Sequence, residues 1–251
     1  MLAIILVVTI LLISIMIFIK SYNPLKLEGF TSPHLSRIYF IVMKKYPERV
    51  RNIQEIIEKY QMKKVHIFDA IDGDTIDKNQ LLKDNQITPS MYEKLRSGAI
   101  GCALSHIALW KQLVSSQDPY WVIFEDDITL TNDVDQQLNL FLSHLPDDFD
   151  IAQIYLSKNR DVSNLSHNQI VNEYVKTGYP QNGTVAYIIS RKGAKKLLKY
   201  CQPIHHAIDI MIRKNISNGN LISYVPINQI VKHEFKYISS ICKNAKFCPA
   251  F

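Results

Sequence analysis

Short apolar runs alternate with amphipathic stretches along most of this chain, and their periods name the elements. Residues 38–43 are unbroken apolar and predict a buried strand. Pro47 then opens a helix with Val50, Ile53, Ile57 and Tyr60 on one face, proline being favoured in a first helical turn. Residues 65–68 predict a second strand, 97–114 a long apolar helix, 121–124 a third strand, and 133–145 a helix halted by Pro146. Residues 151–156 and 185–190 predict two further strands, the latter followed by a helix over 193–200. Strands separated by helices of this length predict an α/β fold, a mostly parallel sheet covered on both faces. With no internal repeat and no second linker, one domain over 37–251 is expected.

The chain opens differently. Residues 2–19 are interrupted only by Thr9 and Ser14 and carry no charge. As a helix this run would be about 27 Å long, enough to cross a hydrocarbon core. Nothing basic precedes it, and Ile17-Phe18-Ile19-Lys20 offers no small-x-small cleavage site, so a membrane anchor over 1–20 is expected in preference to a signal peptide. Residues 21–36, with Pro24, Gly29 and Pro33, read as a linker. The expectation is therefore a single-pass membrane protein. Its orientation stays open: Lys20 and Lys26 favour a cytosolic domain, whereas sequons at Asn164, Asn182 and Asn215 favour a lumenal one.

Composition narrows the class of function. Of 251 residues, 47% are hydrophobic and 21% charged, which excludes a disordered or collagen-like chain. A net charge of +6 without a dense Lys/Arg block suits a polyanionic small ligand or a membrane surface, and no nucleic-acid partner is expected. The first strand–helix turn lacks G-x-G-x-x-G and no G-x-x-x-x-G-K-[ST] occurs, which disfavours dehydrogenases and P-loop NTPases. Cys242 and Cys248 make no zinc pattern, and a disulfide between them would need an oxidising compartment.

The most informative stretch is Trp121-Val-Ile-Phe-Glu125-Asp126-Asp127, an apolar strand running into three carboxylates. The carboxyl ends of strands form the ligand crevice of an open α/β sheet. Three adjacent anions repel one another, and a hard divalent cation such as Mg²⁺ or Mn²⁺ would relieve them. The plainer alternative is a strand terminus whose acids cap the next helix. Asp72, Asp74 and Asp77 follow the second strand, with spacing unlike a calcium loop. They read either as a turn at Asp72-Gly73 with Asp77 capping a helix, or as ribose or base contacts. Gly98 and Gly101 permit close packing or ligand approach, Cys102 reads as packing, and His106 reads as a hydrogen-bonded core histidine or a site residue.

Taken together, Gly98-Ala-Ile-Gly-Cys-Ala-Leu-Ser-His106 and Phe124-Glu-Asp-Asp127 resemble glycosyltransferase family 25, which includes lipooligosaccharide and procollagen galactosyltransferases. Supporting blocks are Pro47-Glu-Arg49, Phe68-Asp-Ala-Ile-Asp-Gly73, and Gly183-Thr-Val-Ala-Tyr-Ile-Ile-Ser190 leading to Gly193-Ala-Lys-Lys-Leu197. The resemblance runs from Ile38 to about Val231. It implies a GT-A-like, Rossmann-type domain and inverting transfer of a hexose, galactose by preference, from a nucleotide sugar such as UDP-galactose. It implies Mn²⁺ or Mg²⁺ held by Asp126 and Asp127, with Asp127 foremost and Glu125 beside them. Arg49, Asp72, Gly98 and His106 then border the donor site, and Asp209 becomes an acceptor-binding group or base. The acceptor would be a hydroxyl of a glycan, a lipid-linked saccharide or a hydroxylated protein. The chain departs from the family pattern at Val42-Met43, where Asn-Leu is usual, and at Pro203-Ile-His-His-Ala ahead of Asp209. A metal-dependent nucleotidyltransferase or phosphohydrolase, and an inactive tethered binding module, are the rival readings.

Overall fold

Strand β1 (Arg37–Val42) lies between two cores. Successive side chains leave opposite faces of a strand, so Ile38, Phe40 and Val42 enter one core while Tyr39 and Ile41 enter the other. Burial on both faces explains the unbroken apolar run. The computed structural model describes residues 36–156 and 169–233.

Beside β1 stand β2 (Val65–Asp69), β3 (Tyr120–Glu125), β5 (Ile151–Gln153), β6 (Val175–Thr177), β7 (Ala186–Ser190) and β8 (Ser223–Pro226). They form a seven-stranded sheet in the order β2-β1-β3-β7-β5-β8-β6. Strands β2, β1, β3, β5 and β8 run one way, and β7 and β6 run the other. The sheet is thus mostly parallel, as expected, but the reversal of β7 matters for the site. Strands β4 (Ile128–Leu130) and β9 (Val231–His233) make a separate antiparallel pair.

One face is covered by α1 (Pro47–Lys59) and α5 (Val134–His144), through Ile53, Leu138 and Phe141. The other is covered by α4 (Ser97–Ser115), α6 (Arg191–Tyr200) and α7 (Ile208–Ser217), through Ile100, Ile107, Trp110, Leu197 and Met211. Short helices α2 (Lys78–Lys83) and α3 (Pro89–Lys94) bridge β2 to α4. Asp77 caps α2, accepting from the Asn79 and Gln80 N–H groups at 2.9 and 3.1 Å. The small residues opening α4 have a packing reason. A Cβ on Gly101 would stand 2.4 Å from the Ile71 carbonyl oxygen, and one on Gly73 would stand 2.5 Å from the Gly98 nitrogen. The 71–73 turn therefore rests directly on the first turns of α4, and the Ser105 hydroxyl accepts the Ile71 N–H at 2.8 Å.

The expected fold class is corrected in one respect. Among the described residues no helix is long and apolar enough to cross a membrane. The described helix of spanning length, α4, has 19 residues. It carries buried Ser105 and His106, and its apolar residues pack in the core. A transmembrane helix is thus not part of the described fold, and the single-pass location expected from the sequence has no support in it. Residues 2–19, the 21–36 linker up to residue 35, Asn164, Cys242 and Cys248 lie outside the described residues. Asn215 is 7% exposed. Its Nδ2 donates to the Met211 carbonyl at 2.9 Å, which withdraws that sequon from solvent.

Strand β5 stops at Gln153, short of the expected Leu156, because Ile154 and Tyr155 both turn their N–H groups to the Ala186 carbonyl. Helices α2, α3 and α7 and strands β4, β6, β8 and β9 were not legible as periodic patterns.

Candidate functional site

Parallel β1, β2 and β3 end on one edge of the sheet, at Val42, Asp69 and Glu125. Antiparallel β7 begins on that edge, so residues 183–185 arrive beside Glu125, whose N–H donates to the Val185 carbonyl at 2.9 Å. Between β3 and β4 the chain turns through Asp126 and Asp127.

These two carboxylates have different surroundings. Asp126 is 5% exposed. Its Oδ1 accepts from Arg49 Nη1 at 2.6 Å and its Oδ2 from the Met43 N–H at 3.0 Å. Burial pushes its carboxyl up to about 6 against the pull of the Arg49 charge, so it remains ionised and paired at neutral pH. The pair ties the end of β3 to the first turn of α1. Both Asp126 oxygens, expected to face a metal, are thus taken by protein donors.

Asp127 is more open. Its Oδ2 lies 2.9 Å from His233 Nε2, while its buried Oδ1 has no hydrogen-bond partner among the described residues. The β4–β9 ladder pairs Ile128 with His233 and so brings the imidazole next to Asp127. Burial opposes charge on His233, but the Asp127 hydrogen bond and the Asp127 and Glu125 charges outweigh it and raise its pKa above 6.5.

Glu125 Oε1 accepts from the Thr184 hydroxyl at 2.5 Å and lies 3.4 Å from His106 Nε2. Burial opposes its charge, yet His106, Thr184 and His233 hold its carboxyl below the usual range. His106 is fully buried, with Nδ1 2.8 Å from the Tyr187 hydroxyl, which also receives Trp110 Nε1–H at 3.0 Å. Cys102 sits one helical turn before His106. Burial, then the Glu125, Asp209 and Asp127 charges, push its thiol well up. One ligand atom each from Cys102, His106 and Glu125 lies within 4.8 Å of the others, which makes this trio a candidate metal group too.

Asp209, in the first turn of α7, accepts the Gly183 N–H on Oδ2 at 3.0 Å and the Ile210 N–H on Oδ1 at 2.8 Å. Gly183, at φ +88°, presents its N–H in a conformation that side chains rarely adopt. Asp209 thereby braces the loop that carries Thr184. At the other end of the edge, Asp72 accepts Lys45 Nζ at 2.7 Å and the Asp74 N–H at 3.0 Å. The Lys45 ammonium is the first cause holding the Asp72 carboxyl below its usual range. Gly98 contributes close backbone packing under this turn.

The structure thus brings Glu125, Asp127, His106 and Asp209 around one end of β3, with Asp126 and Arg49 braced behind them and Asp72 with Lys45 at the β2 end. Sequence reasoning missed His233, Thr184, Lys45 and Tyr187. A histidine two residues after an apolar pair (Ile230-Val231) carries no local signal; only the 83-to-106-residue reach of the β4–β9 and β1–β3 contacts selects it and its neighbours.

Comparison with known proteins identifies the family. A Haemophilus influenzae protein named as a glycosyltransferase is 28% identical over 176 residues, covering 69% of this chain and 61% of that protein. Procollagen galactosyltransferase 2 of Homo sapiens is 27% identical over 174 residues, covering 64% of this chain and 27% of that protein. Inactive glycosyltransferase 25 family member 3 of Mus musculus is 25% identical over 189 residues, covering 69% of this chain and 30% of that protein. The chain therefore matches less than two thirds of each relative's length. The family profile described as glycosyltransferase family 25 (LPS biosynthesis protein) matches residues 35–212, well over half of the sequence. With its five blocks, its strand-end carboxylates and this match, the chain belongs to glycosyltransferase family 25.

Proposed function

We propose that the protein transfers a hexose from a nucleotide-sugar donor to an acceptor hydroxyl at the carboxyl end of β3, with inversion. The observation that carries this reading is Asp127. Its Oδ1 is buried without a partner among the described residues, and His233 stands at its Oδ2. A buried carboxylate oxygen without a donor is costly, and a bound cation would satisfy it.

The carboxylate oxygens would fit Mn²⁺ or Mg²⁺, with Asp127 as holder and Glu125 and His233 beside it. Such an ion supplies neutralisation of the charge on the departing diphosphate. Asp126, engaged by Arg49 and Met43, acts by fixing the turn that presents Asp127. Lys45, gathered by Asp72 and Asp74, places a positive charge on the nucleotide side of the edge. Asp209 is the candidate base: each of its oxygens holds one backbone N–H and retains a second lone pair. It takes the acceptor hydroxyl proton as that oxygen attacks the anomeric carbon and the bond to the diphosphate breaks on the opposite face. Galactose is the proposed hexose and UDP-galactose the proposed donor, supported by the name of the human relative. The acceptor class is a glycan or protein hydroxyl.

The test incubates the full chain with a panel of nucleotide sugars, Mn²⁺ and hydroxyl acceptors and measures released nucleotide. Acceptor-dependent release of nucleoside diphosphate, lost in Asp127→Ala, supports the proposal. Acceptor-independent hydrolysis or release of pyrophosphate would replace it with the phosphohydrolase or nucleotidyltransferase reading. Absence of Mn²⁺-dependent nucleotide binding by calorimetry would replace it with an inactive module.

A further inference from the structure

We propose that Trp110, Tyr187 and His106 form a one-way hydrogen-bond relay that places the His106 proton on Nε2 and thereby orients Glu125, with Tyr187 as its deciding positioning residue. This rests on the transferase reading for Glu125's role, but the proton placement stands on the geometry alone.

The argument is a count of protons. Trp110 Nε1–H can only donate, and it reaches the Tyr187 oxygen at 3.0 Å. The Tyr187 hydroxyl has one proton of its own, and its other neighbour is His106 Nδ1 at 2.8 Å. All three side chains are 0–1% exposed, so water does not complete the set. Burial pushes the Tyr187 hydroxyl pKa well up, which keeps that proton in place. If Tyr187 donates to Nδ1, that nitrogen is bare and the neutral ring carries its proton on Nε2. A proton on Nδ1, in the other neutral tautomer, would make Tyr187 accept twice. Its hydroxyl proton would then be stranded in the core, a bias on the order of tenfold against that tautomer.

Nε2–H faces Glu125 Oε1 at 3.4 Å, the same oxygen that receives the Thr184 hydroxyl at 2.5 Å. Both donors fall on one oxygen, which restricts rotation of the carboxylate. The relay also decides between two uses of the Cys102, His106 and Glu125 trio. A soft cation held there through His106 Nε2 would need that nitrogen bare, the opposite of what the relay provides.

The test reads imidazole ¹H–¹⁵N correlations in the ¹⁵N-labelled, metal-free full chain, with His106 assigned by its loss in His106→Gln. A protonated Nε2 and a bare Nδ1 are expected. A proton on Nδ1, or a bare Nε2 occupied by added Zn²⁺, overturns the relay. In Tyr187→Phe, which keeps the ring packing, the tautomer bias should be lost and kcat should fall roughly 10–100-fold, as for other positioning partners around a site. Lower thermal stability with an unchanged tautomer and unchanged kcat would make Tyr187 merely structural and overturn the proposal. The spectrum needs no substrate, so a protein showing the expected tautomer but no sugar transfer refutes the transferase reading and leaves the proton placement standing.

Discussion

Asp126 takes Arg49 on one oxygen and the Met43 N–H on the other, whereas Asp127 keeps a buried oxygen without a partner among the described residues. Neighbours in sequence therefore divide the work: one braces, the other is available for a ligand. Asp127→Ala should lower transfer at least about 10²-fold, since charge stabilisation at a departing diphosphate is worth several kcal/mol. The same variant should keep its circular dichroism and shift its unfolding midpoint little, because loss of the His233 hydrogen bond is offset by removal of a buried oxygen without a partner among the described residues. Asp209→Asn removes the candidate base while preserving shape. A fall in kcat of about 10²–10⁴-fold with little change in KM is expected by steady-state kinetics, the range typical of general bases. Unchanged kcat would leave Asp209 as a loop brace only.

At the level of elements, two joints hold the site edge together. The Arg49–Asp126 pair, with side chains 6% and 8% exposed, locks α1 to the end of β3. Removing one partner strands a buried charge, so Arg49→Ala should destabilise the fold by about 3–5 kcal/mol in denaturant titration. The second joint is the 71–73 turn seated on α4. Gly101→Ala would drive a Cβ to 2.4 Å from the Ile71 carbonyl, so the turn must move. A loss of about 1–3 kcal/mol is expected. The turn also carries Asp72, so KM for the donor should rise more than kcat falls.

Across the whole molecule, the site draws on β1, β3, α4, the loop before β7, α7 and β9, so only the assembled sheet contains it. Ligands that bind this assembled state stabilise it by mass action. At about 100 times its dissociation constant, a nucleoside diphosphate with Mn²⁺ should add about 2.7 kcal/mol, read as a rise in the thermal midpoint. Chelation, or Asp127→Ala, should abolish the rise. A rise that survives both would place the cation elsewhere.

Local periodicity and block identity told much of this from residues alone. The apolar runs of β1, β3 and β7, the Pro47 start of α1 and the length of α4 depend on neighbours a few residues apart, where chain geometry alone sets the period. The family blocks and the three carboxylates at a strand end were equally plain. What the residues could not reveal depends on pairing over long separations: Thr184 reaches Glu125 across 59 residues because β7 runs backwards, and His233 reaches Asp127 across 106 because β9 pairs with β4. Nor could Glu125-Asp126-Asp127 disclose which carboxylate Arg49 would claim, since burial and hydrogen-bond partners exist only once the strands have packed.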